Sequence, residues 1–171
     1  MEFSNWILQE SSLNDLYQSA VEAFPRTTKR QHATQPIKIV ELTWVPYRGV
    51  KTLFVKAMAR NEGRVYNPII VFKKVHYLES GGIALKDKNG QRYFVEQLSL
   101  QNNDVLVRCQ CGDFYWRGTH FNKLDHSLYG PDRKKYEAKH NPGSANPTES
   151  PIVCKHLMKM MEVLHNSGFA K

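Results

Sequence analysis

A chain of 171 residues, 41% of them apolar and 11% aromatic, is long enough to bury a core of its own, which excludes a disordered tract. Its longest apolar runs, such as residues 68–72, are too short to span a bilayer, and Met1-Glu2 opens no basic-then-apolar leader, so a protein of a reducing compartment is expected. The formal charge of +8 points to acidic partners, nucleic acid or protein.

The first stretch, 1–35, is helical. After an irregular apolar lead (Phe3, Trp6, Ile7, Leu8), the residues Leu13, Leu16, Tyr17, Ala20, Val21 and Phe24 recur at steps of three and four, the stripe of an amphipathic helix. Ser12 is placed to cap it, Asp15 completes a capping box, and Pro25 stops it. Asp15 and Glu22 make its exposed face acidic.

Residues 36–104 read as an antiparallel β-domain, a sandwich or partly open barrel. Segments 36–45, 52–59, 65–75, 83–86, 92–95 and 104–109 are rich in β-branched and aromatic residues and are divided by turn signals. Asn89-Gly90 predicts a tight hairpin with both residues at positive φ, and Asn61-Glu62-Gly63 a slightly longer one. Pro68 requires that the 65–75 strand start its pairing after it or lie at an edge.

The third stretch, 105–171, carries every cysteine in the chain. Val105 to Arg108 reads as a strand leading into Cys109-Gln110-Cys111, and Cys154-Lys155-His156 precedes Leu157, Met160, Met161 and Leu164 at helical spacing. Three thiols and one imidazole are the donor set of a closed tetrahedral zinc site with no open position, so one structural Zn²⁺ held by Cys109, Cys111, Cys154 and His156 is expected. The metal would clip a strand end to a helix start. Three other readings compete: small buried cysteines beside a core histidine, a strained Cys109–Cys111 disulfide that leaves Cys154 over, and a Cys154–His156 nucleophilic pair.

The order Cys-x-Cys, spacer, Cys-x-His, with a strand before and a helix after, resembles the SWIM-type zinc finger over the last third of the chain. The 42 residues from Gly112 to Val153 are longer than the usual spacer of that family, which implies an inserted arm. The wider string at 111–117, with Asn141-Pro142, Asn146-Pro147 and 151–157, is similar to a variant found in virion structural proteins of tailed bacteriophages. That resemblance implies a component of the virion, in tail, baseplate, neck or capsid, whose partners are other virion proteins or copies of itself. The SWIM resemblance equally implies the alternative, binding of DNA or RNA.

Within the spacer, Phe114, Tyr115, Trp116 and Phe121 offer apolar surface for a short helix reaching Leu124, whereas 130–151 is dominated by Pro, Gly, Asn, Ser and Lys and reads as a loop or an arm that orders on a partner. Tyr129 and Tyr136 are its candidate anchors, and Arg133, Lys134 and Lys135 its candidate charge contacts. Charge is uneven: residues 1–24 hold four acids and no base, and residues 26–74 eleven bases and two acids, so the positive field belongs mainly to the β-domain. A solvated face, a protein interface and a phosphate-binding surface all fit that field. No phosphate loop, Gly-x-Ser-x-Gly elbow or His-Glu-x-x-His is present, and His120, His126 and His140 are isolated loop histidines, so a non-enzymatic assembly protein is expected.

Overall fold

The computed structural model describes residues 10–25, 32–133 and 145–171. The lead at residues 3–8, and Lys134, Lys135, Tyr136, His140 and Asn141-Pro142, lie outside them. The fold is α+β, as the sequence predicts: an N-terminal helix, two antiparallel sheets that do not close on each other, and a C-terminal helix.

Helix α1 spans Leu13–Ala23. Its start is the expected reciprocal cap: the Asp15 amide donates to Ser12 Oγ at 3.2 Å and the Ser12 amide to Asp15 Oδ2 at 3.0 Å. Leu13, Leu16, Ala20 and Ala23 are the buried face. Tyr17 and Val21 fall on its margin, Tyr17 being 38% exposed, because the 100° step per residue puts Ala23, three after Ala20, on the buried face.

The larger sheet runs β1 (Lys38–Tyr47), β2 (Thr52–Asn61), β4 (Ile69–Phe72), β8 (Val105–Arg108), with β3 (Arg64–Tyr66) pairing the far end of β2. Pro68 splits the predicted 65–75 strand into β3 and β4: proline has no amide to donate, yet its carbonyl still accepts from the Ala57 amide at 3.0 Å, and pairing resumes at Ile69. Alternation on β2 is strict, with Leu53, Val55, Ala57 and Ala59 buried and Lys56, Met58 and Arg60 exposed. One sheet face is therefore covered and the other open to water.

The smaller sheet is β5 (Tyr77–Leu78), β7 (Arg92–Val95), β6 (Ile83–Lys86). Two turns differ from expectation. Lys86 pairs with Arg92, which leaves a five-residue connection in which only Gly90 has positive φ. The Asp87 carboxylate shapes it by accepting from the amides of Asn89 and Gln91, which holds Asn89 out of the left-handed region. Conversely, Asn61 pairs with Arg64, so Glu62-Gly63, at φ +50° and +78°, makes the two-residue hairpin.

A short 3₁₀ turn (Arg48–Val50) joins β1 to β2, and a π-helix (Phe114–Gly118) runs into α2 (Thr119–Leu124), the expected spacer helix. Residues 127–129 then add a parallel bridge along β8, with the Val107 amide donating to the Ser127 carbonyl and the Tyr129 amide to the Val107 carbonyl. Helix α3 (Lys155–Asn166) buries Leu157, Met160, Met161 and Leu164, as predicted, together with Met158.

Leu13 and Leu16 of α1, Leu53 and Val55 of β2, Val105 and Val107 of β8, and Leu157 and Leu164 of α3 belong to one buried cluster. Residues from 1–35, 36–104 and 105–171 thus share a core, and the 104/105 boundary runs through the larger sheet. Among the described residues no helix is long and apolar enough to cross a membrane.

Candidate metal centre

Three elements, β8, the π-helix and α3, converge on one point. Strand β8 ends at Arg108 and delivers Cys109; the chain turns through Gly112 into the π-helix, whose first amide, on Phe114, donates to Cys111 Sγ at 3.4 Å. Cys154 is the N-cap of α3, in extended conformation (φ −84°, ψ 171°), and His156 lies in the first turn.

Ile152, just ahead of that pair, is held by the fully buried Asn122 of α2. Asn122 Nδ2 donates to the Ile152 carbonyl at 2.9 Å, and the Ile152 amide donates to Asn122 Oδ1 at 2.9 Å. A second buried amide, Asn146, donates to the carbonyls of Arg117 (3.1 Å) and Ser150 (2.6 Å). The return of the spacer toward the ligands is thus tied down, and Ile152 and Val153 are buried.

The ligand atoms of Cys109, Cys111, Cys154 and His156 all lie within 4.8 Å of one another, and each residue is at most 4% exposed. His156 turns Nδ1 toward the sulfurs, 3.9 Å from Cys109 Sγ and 4.0 Å from Cys154 Sγ. With Zn–S bonds of about 2.3 Å and Zn–N of about 2.0 Å, a tetrahedron has S···N edges of about 3.6 Å. The two measured S···N distances reach that by contracting a few tenths of an ångström, and the widest separation in the cluster, within 4.8 Å, by about 1 Å. It is the one group of metal-ligand type found among the described residues, which include His120 and His126.

The competing readings can now be weighed against geometry. All three cysteines are free thiols, so Cys109 and Cys111 form no disulfide. Cys154 and His156 are 1% and 2% exposed and face two further thiols, so they stand in a four-donor cluster and not as an isolated Cys–His pair. A plain apolar role does not account for three thiols and an imidazole nitrogen turned toward a common centre. These residues form a buried Cys₃His group able to hold one metal ion, and its donor chemistry suits zinc.

Without an ion the thiols titrate together. Hydrogen bonds from Cys109 and Cys154 hold Cys111 far below the ordinary thiol range. Cys109, through its hydrogen bond with Cys111, and Cys154, through burial, are pushed above it. A bound cation would take the sulfurs as thiolates and release their protons.

One neighbour of the site is invisible in the motif. The Tyr66 ring lies 4.2 Å from the His156 ring at an interplanar angle of 31°. His156 Nε2 is buried with no hydrogen-bond partner, on the edge of a cleft of about 650 Å³ that also has Tyr66, Trp116, Arg117 and Lys155 in its wall. A stacked ring fixes the imidazole plane without a polar partner, which no spacing rule in the sequence announces.

The candidate partner contacts fall elsewhere. Tyr129 is half-buried, edge-on to Phe54 at 5.3 Å. Arg133 is engaged within the chain, its guanidinium 4.1 Å from the Tyr115 ring centre and 3.9 Å from that of Trp116. No protein-family model matches the chain, and neither a curated protein nor a solved structure matches it.

Proposed function

We propose that this is a non-enzymatic assembly protein whose single zinc ion is structural, and that it serves as a component of a tailed-phage virion, acting through protein–protein interfaces. The observation that supports it is the closure of the site: four protein donors, each at most 4% exposed, satisfy the tetrahedral demand of zinc and leave no coordination position for water or substrate. A metal so enclosed acts on the fold, tying the end of β8 to the start of α3. The virion assignment rests on the resemblance of the 111–117 and 151–157 strings. Arg133 over the rings of Tyr115 and Trp116, residues 45% and 47% exposed, supplies the residue types that concentrate binding energy at interfaces.

Two measurements test the proposal separately. Elemental analysis of the purified protein is expected to give one zinc per chain. A mass-spectrometric census of purified particles encoded by the same genome is expected to contain the chain at stoichiometric level; its absence from particles, with zinc present, would leave the metal centre standing and remove the virion role.

A further inference from the structure

The open face of the larger sheet carries an apolar row between cationic ones. Register fixes the rows. Val45, Phe54, Val71 and Leu106 stand side by side across four strands, and the Tyr129 ring folds over them against Phe54. The next row, about 7 Å along the strands, sets Lys56 and Arg108 on either side of Ile69. Beyond it Glu41 stands opposite Met58 and then Arg60 opposite Lys38, and at the other end Lys51 lies on the rim of a groove of about 690 Å³ floored by Phe54, Val71 and Leu106. This face is opposite the one that bears Leu53, Val55 and the shared core.

The charge on it is mainly positive, with Glu41 the carboxylate that the register sets among these cations. Lys73 and Lys74 are paired with Glu10 and Asp104, but no carboxylate of the described residues pairs with Lys38, Lys51, Lys56 or Arg60. Arg108 donates only to the carbonyls of Tyr129 and Pro131, which leaves its charge intact.

The geometry points to single-stranded nucleic acid as the ligand of this face. A single strand is amphipathic in the matching sense: its base faces suit Phe54, Tyr129 and the exposed Tyr47, and its phosphates suit the flanking cations while both stay hydrated and release counterions. A duplex hides its base faces, and a flat pleated surface presents no helix or ribbon to enter a groove. A protein partner would have to desolvate lysines, which interface cores avoid. This surface is independent of the proposed virion role and of the metal.

The test uses the zinc-loaded full chain and a labelled oligo(dT) of about 16 nucleotides, by fluorescence anisotropy from about 50 to about 200 mM salt. Binding at least tenfold tighter than to a duplex of equal length is expected, with a log–log salt slope near −3, at about −0.7 per phosphate for four contacts. Lys56→Gln with Arg60→Gln should weaken binding about tenfold and reduce the slope by about 1.4. Tyr47→Ser should weaken binding and leave the slope unchanged. Zinc content and melting temperature check that each variant is folded; if the double variant is not, Lys51→Gln in the exposed turn replaces it. Absence of binding at low salt, equal affinity for duplex, competition by poly-glutamate as effective as by oligonucleotide, or indifference to these substitutions would overturn the inference, the poly-glutamate result by marking the face as a seat for acidic protein.

Discussion

Cys111 is the sulfur fixed by the backbone, since it accepts a hydrogen bond from the Phe114 amide at 3.4 Å. Cys154 is the most deeply buried ligand, and it belongs to the shared core. Cys154→Ser is expected to abolish stoichiometric zinc and to lower thermal stability severely, because structural zinc sites contribute on the order of 10 kcal/mol of apparent binding energy. Elemental analysis with a melting curve checks both. Retained zinc would mean that the ligand set is wrong. A second residue sets a pH dependence. Burial pushes the Tyr77 phenol up to about 12, and its hydroxyl donates to the Thr52 carbonyl at 2.5 Å. The folded state therefore favours the neutral phenol, so its contribution is complete below pH 10, where the unfolded chain begins to ionise, and is lost as pH rises toward 12. Tyr77→Phe should flatten that alkaline decline in denaturant titrations while losing about 1 kcal/mol near neutrality. The four ligands were legible because metal coordination demands scarce residue types at short spacing. Asn122 and Tyr66 were not, because a buried amide clamp and a stacked ring acquire their roles only when distant segments meet.

At the scale of elements, local chemistry carried the reading wherever one residue type decides the conformation. Ser12 and Asp15 announced the start of α1, and Ser12→Ala is expected to cost about 1 kcal/mol, measurable by equilibrium unfolding, since it leaves the Asp15 amide without its acceptor. Pro68 announced the interruption between β3 and β4. The turns were harder. Glycine marks where a chain can turn, but the Asp87 carboxylate decided that the β6–β7 connection would be five residues long, and the Arg64–Asn61 pairing that β2–β3 would need only two. Glu62 pays for that two-residue turn with φ +50°, so Glu62→Gly or Glu62→Asn should be neutral or slightly stabilising, the reverse of the usual effect of glycine in a sheet. Thermal unfolding of the variant decides it. Strand β5, two residues long, was absent from the sequence pattern because no periodicity can show over Tyr77–Leu78.

For the molecule as a whole, the shared core makes a definite claim about cooperativity. Leu157 and Met160 of α3 join Leu53, Val55 and Ile70 of the sheet in a single cluster. Chelation should therefore reduce amide protection in β2 and β4 as well as in α3, by hydrogen exchange; loss confined to 105–167 would show the C-terminal unit to be separable. What the sequence could not convey was this sharing, since helix and strand periodicities say which face is apolar and not which partner covers it. The metal centre also divides along the chain in a useful way: Cys109 and Cys111 lie on one side of the spacer, Cys154 and His156 on the other. A protease site engineered within 134–144 would turn the ion from an internal clasp into a joint between two polypeptides. The cut pieces should migrate as one species in gel filtration, part on chelation, and re-form when zinc is returned, making the chain a split protein whose reassembly is switched by a metal.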